Sequence, residues 1–139
     1  MSKITLFIPL LFALLVGCAS KSSSMVSSDF DREQHSYIAV YDSEDASFLE
    51  LQLQQIFESL GYKVIGEKEA SKYPNQTLGV RYNVSGSFYE SKIVVTLEDM
   101  TTDKTLCTIQ GSAYDDFGNA SEVAWKAVRG ELISRLGSE

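Results

Sequence analysis

The side chains best suited to catalysis or metal binding are scarce: one histidine, His35, and two cysteines, Cys18 and Cys107, in 139 residues. A single imidazole close to the start of the chain, with no nucleophile placed beside it by any motif, builds neither a Ser-His-Asp nor a Cys-His arrangement. Zinc needs three or four His or Cys ligands, and after Cys18 only His35 and Cys107 remain. Two acidic clusters carry oxygen ligands at spacings that suit calcium: Asp42, Glu44 and Asp45, and Asp115 with Asp116 ahead of Gly118 and Asn119. Neither ends in the bidentate carboxylate that closes a calcium loop. Both precede predicted helices, where negative charge is favourable in any case. Glu90, Glu98, Asp99 and Asp103 could supply a carboxylate pair for glycoside hydrolysis, but they fall where solvated turns are expected. No glycine-rich phosphate loop or nucleotide fingerprint is present. The chain is therefore expected to have no catalytic residues, no metal and no cofactor, and not to be an enzyme.

Cys18 has a different chemistry. Lys3 is followed by an apolar run from Ile4 to Val16, broken only by Thr5 and Pro9. That run falls short of the roughly 20 apolar residues a membrane-spanning helix needs. A positive start, a short apolar core and small residues before a cleavage point make a secretory signal peptide over residues 1–17. The run ends in Leu15, Val16, Gly17 and Cys18, which resembles the lipobox of bacterial lipoproteins. The resemblance implies diacylglycerol transfer to the Cys18 thiol, cleavage after Gly17, and acylation, as with palmitate, of the new amino terminus. Two or more acyl chains anchor a protein stably where one holds it only marginally. In such lipoproteins an Asp directly after the cysteine favours the inner membrane. Here Ala19, Ser20 and Lys21 follow, which implies the periplasmic face of the outer membrane.

Spending Cys18 on lipid leaves Cys107 without a partner in its own chain. A lone thiol in an oxidising compartment must be shielded or used. The alternation of Cys107, Ile109, Gly111 and Ala113 against Leu106, Thr108, Gln110 and Ser112 points Cys107 inward. Residues 18–35 are dominated by Ser and charged side chains, with only Met25, Val26 and Phe30 able to bury anything. This reads as a flexible tether with a reach of about 20 to 25 Å. Residues 36–139 are then a single domain. With 19 acidic against 12 basic residues, a net charge of -7 disfavours sequence-independent attraction to nucleic acid.

The elements of that domain follow from periodicity. YIAVYD from Tyr37 reads as a strand, and Ser47 with Glu50 as a capping box. Leu49, Leu53, Ile56, Phe57 and Leu60 then recur along one helical face, which Gly61 ends in the left-handed conformation. YKVIG is a second strand, parallel to the first. Three further segments alternate: Leu78 to Val84, Ile93 to Leu97, and Leu106 to Tyr114. Asn119 and Glu122 form a second capping pattern, for a helix with Ala124, Trp125, Val128, Leu132 and Leu136 on its apolar side. The fold class is α+β, a two-layer sandwich of order β-α-β-β-β-α, with a mixed five-stranded sheet and two helices on one face. The open sheet face carries Tyr37, Tyr41, Arg81, Asn83, Thr96, Glu98 and Thr108 as the candidate interaction face.

IAVYD, the helix ending in ESLGYKV and the hairpin KIVVTLEDMTTDKTLCTIQG resemble small proteobacterial envelope lipoproteins. More distantly they are similar to the periplasmic domains of flagellar, curli-secretion and exopolysaccharide-export lipoproteins. The resemblance implies a non-enzymatic role in envelope assembly, with the membrane as one partner through the lipid and an envelope protein as another. The alternative is a domain that binds a small ligand or the cell wall. No signal for oligomeric state is present.

Overall fold

The computed structural model describes residues 18–42 and 48–137. The signal segment 1–17, Glu44, Asp45 and the capping Ser47 lie outside the described residues. The strands are β1 (Cys18–Val26), β2 (Tyr37–Val40), β3 (Lys63–Val64), β4 (Thr77–Gly86), β5 (Glu90–Asp99) and β6 (Thr105–Asp115). The helices are α1 (Phe48–Ser59), the single turn α2 (Glu67–Ala70) and α3 (Ala120–Leu136), with a 3-10 turn at Pro74–Gln76. Among the described residues no helix is long and apolar enough to cross a membrane.

One mixed sheet runs in the order β1-β6-β5-β4-β2-β3. β2 is parallel to β3 and β4, and β4, β5, β6 and β1 are successively antiparallel. α1 and α3 cover one face. Leu49, Leu53, Ile56 and Phe57 of α1, and Ala124, Val128, Leu132 and Leu136 of α3, are buried against Ile38, Val80, Ile93, Val95, Leu97 and Ile109. Gly61, at φ +94, ends α1 as its sequence requires, and the Tyr62 amide donates to the Phe57 carbonyl (3.0 Å) to close the turn.

The order β-α-β-β-β-α is overturned, since the sheet has six strands and the domain three helices. The unexpected strand is β1, drawn from the serine-rich segment that composition reads as a tether. It pairs with β6 over its whole length, from Cys18 opposite Asp115 to Val26 opposite Cys107. An edge strand with one wet face needs little apolar surface. Its other face is Ser20, Ser22 and Ser24, paired with Ala113, Gly111 and Ile109 where α3 passes close above. Small side chains fit there, and the Ser22 hydroxyl donates to Glu131 of α3 (3.4 Å).

The connection from β1 to β2 is also tied down. The Ser27 amide donates to Leu106 O (2.8 Å), Asp29 pairs with Lys104, and Phe30 packs against the core. The Arg32 guanidinium donates to Leu60 O (2.9 Å) and lies 3.6 Å over the Tyr62 ring. His35, expected at a tether boundary, is 2% exposed, and its Nδ1–H donates to the Asp31 carbonyl (3.1 Å).

The extra helix, α2, covers the side of β2 that alternates with Ile38 and Val40. Ala39, Ile65 and Ala70 form a small second core there, with Tyr37 and Met100 against it. The expected Asn119 cap is not formed. Asp115 instead holds the loop ahead of α3, its buried carboxylate accepting the Phe117 (3.0 Å) and Asn119 (3.1 Å) amides.

Candidate functional site

The sheet face opposite α1 and α3 is open over β1, β6, β5 and β4. Strand register sets its side chains in rows: Met25, Thr108, Thr96 and Arg81 in one, and Ser23, Gln110, Val94 and Asn83 in the next. A further row is Lys21, Ser112, Lys92 and Ser85. The next element, Tyr41, lies flat on Gly79, where an added Cβ would stand 2.8 Å from its ring. The Arg81 guanidinium sits 4.3 Å over the same ring and its Nε–H donates to Glu98 (3.1 Å). Burial raises the Tyr41 hydroxyl above its ordinary value, while Arg81 pulls it back. Tyr41, Arg81 and Glu98 thus make a stacked, charge-paired patch with amphipathic and ionic character, suited to contacting another surface.

Of the face read from sequence, Tyr41, Arg81, Asn83, Thr96, Glu98 and Thr108 are brought onto this surface. Tyr37 is not. It stacks on Tyr73 at 5.2 Å between ring centres, at the edge closed by α2. Sequence reasoning missed the whole β1 strip of Lys21, Ser23 and Met25. Its period-two signal is blurred because serine occupies both faces.

Three of the carboxylates weighed for chemistry have local partners. Asp99 accepts the Thr101 amide (2.7 Å) in the β5–β6 turn, Glu98 is held by Arg81, and Asp115 by the backbone of its own loop. Among the described residues no group of three or more His, Cys, Asp or Glu side chains converges as a metal site. Cys107 is buried and free. A register shift opposite Leu97 and Glu98 turns Leu106 inward as well, against the simple alternation.

No protein-family model matches the chain, and no curated protein matches it by sequence. Solved structures do. The PelC dodecamer from Paraburkholderia phytofirmans superposes with a TM-score of 0.62 at 13% identity, covering 86% of this chain and 100% of the PelC chain. The fold is shared. A single-substitution variant of that dodecamer gives a TM-score of 0.60 at 14% identity, over 87% of this chain and 100% of its own. The distant similarity to exopolysaccharide-export lipoproteins read from the sequence has this structural counterpart.

Proposed function

We propose that this chain is a lipid-anchored, non-enzymatic interaction module of the bacterial cell envelope. It is held at the periplasmic face of the outer membrane through Cys18 and engages a protein partner with its open sheet face. The observation that carries this reading is the face itself, a four-strand surface covered by no described element and carrying the Tyr41, Arg81 and Glu98 patch along its β4 side. The lipobox at Leu15 to Cys18 and the fold shared with a protein solved as a dodecamer support it. Fold alone assigns no partner.

A second reading, a small-ligand or cell-wall binding domain, is favoured by one feature. An open depression of about 390 Å³ on this face is lined by Ser85, Glu90, Ser91, Lys92 and Ser112.

In-cell photo-cross-linking from Met25, Arg81 and Thr108 separates the two. One envelope protein captured at all three positions, or a second copy of this chain, supports docking. Capture of cell-wall fragments alone overturns it in favour of the ligand-binding reading.

A further inference from the structure

Four exposed aromatic rings, among them the two most exposed of the described residues, gather at one end of the sheet. Phe88 and Phe117 are 79% and 82% exposed, and Tyr89 and Tyr114 are 57% and 49%. Phe88 and Tyr89 form the β4–β5 connection, Tyr114 is the penultimate residue of β6, and Phe117 lies in the β6–α3 loop. The two loops are stitched together. The Asp115 amide donates to Tyr89 O (2.8 Å) and the Ala120 amide to Phe88 O (3.0 Å). Buried Asp115, holding the Phe117 and Asn119 amides, fixes the loop that carries Phe117. A rigid tip therefore presents four rings to solvent, a costly arrangement with nothing against it.

β1 starts at the same end. Cys18 pairs with Asp115, and Ala19 with Tyr114. Paired Cα atoms across antiparallel strands are about 5 Å apart. The Cys18 backbone therefore lies beside the end of β6 that carries Tyr114 and leads into the Phe117 loop, with none of the slack of a tether reaching about 20 to 25 Å. A bilayer holding acyl chains on Cys18 meets the tip. The polar-tipped Tyr is favoured at the headgroup level, and Phe inserts at the boundary between headgroups and acyl chains. Lys21 and Lys92 share a row two residues further along, about 7 Å from Tyr114, within reach of lipid phosphates. Glu90 and Asp116 at the tip oppose an anionic surface, so the rings rather than net charge supply the attraction.

We infer that Phe88, Tyr89, Tyr114 and Phe117 are a membrane-docking tip, lying in the headgroup region of the bilayer that holds Cys18. This rests on the lipid-anchor reading and deepens it. The strands then rise away from the membrane, and the open face stands side-on, accessible to partners moving along the same leaflet.

The test uses the full chain, purified from membranes and reconstituted into phosphatidylethanolamine and phosphatidylglycerol vesicles doped with lipids brominated on the acyl chains. Phe117→Trp and Phe88→Trp place an indole at the tip, and Thr102→Trp places one in the β5–β6 turn at the opposite end. Wild type, with Trp125 alone, is the baseline. Both tip indoles are expected to blue-shift and lose roughly half their emission to the brominated lipid, with the Thr102→Trp indole unaffected. Mass spectrometry of the same samples reads the acylation of Cys18. Unquenched tip indoles on an acylated protein overturn the docking tip and leave the anchor standing. An unacylated Cys18 overturns the anchor, and the docking with it.

Discussion

Gly111→Val will destabilise the domain by about 3 kcal/mol, among the largest effects available to a single substitution here. Gly111 sits in β6 between β1 and β5, directly under α3. A Cβ at this position would stand 2.7 Å from the Ala124 carbonyl oxygen and 2.7 Å from Val128 Cγ2. The first of these is helix backbone, which cannot turn aside, so α3 must lift from the sheet and uncover Ala124 and Val128, both fully buried. Gly130 is the internal control. Its Cβ position is open, and in the middle of α3 an Ala is worth about 1 kcal/mol over Gly. Urea unfolding followed by circular dichroism should therefore move in opposite directions for Gly111→Val and Gly130→Ala. Equal stability of Gly111→Val and wild type would mean that α3 does not cross β6 so closely.

Cys107 will react with a thiol reagent more than about 100-fold slower in the native protein than in urea at neutral pH. Burial pushes its thiol up to about 11 from 9.0, Arg135 pulling weakly the other way. A rise of that size alone removes about 99% of the thiolate, and burial blocks the reagent besides. It also fixes the sign of a stability change. The folded state holds the proton more tightly than the unfolded chain, so the contribution is complete below about pH 9. It is lost as pH rises through about 11, because only the unfolded chain gains by ionising. Tyr62, pushed up to about 12 by burial against the pull of Arg32, extends the decline. The urea midpoint should be flat from about pH 7 to about 8.5 and fall steadily by about pH 10.5. A flat profile over that whole range, or rapid native labelling, would contradict a buried thiol.

Residues that report their own burial were legible in the sequence. The stripe of Leu49, Leu53, Ile56 and Phe57 and that of Ala124, Val128, Leu132 and Leu136 marked α1 and α3, because a buried helix face repeats on a fixed period. The alternation of Ile93, Val95 and Leu97 marked β5 in the same way. β1 was not legible, because serines facing α3 and serines facing water look alike, and only the pairing with β6 separates them. Tyr37 lies on the side of β2 that the alternation gives it, but α2, a single turn too short for periodicity, covers that edge. Of the candidate face, the β4, β5 and β6 residues followed from alternation. The aromatic tip did not, since Phe88 and Phe117 stand far apart in the chain and meet only through the bonds between their loops.

β1 is the decisive element: it borders the open face, and the proposed membrane docking rests on its starting at Cys18. Amide hydrogen exchange of the full chain, read by mass spectrometry over residues 19–27, measures its presence directly. The pairing with β6 and the Ser27 amide bonded to Leu106 O predict that about half of these amides exchange orders of magnitude more slowly than a free chain. Exchange of the whole segment at the free-chain rate would contradict it, leaving a five-stranded domain on a leash.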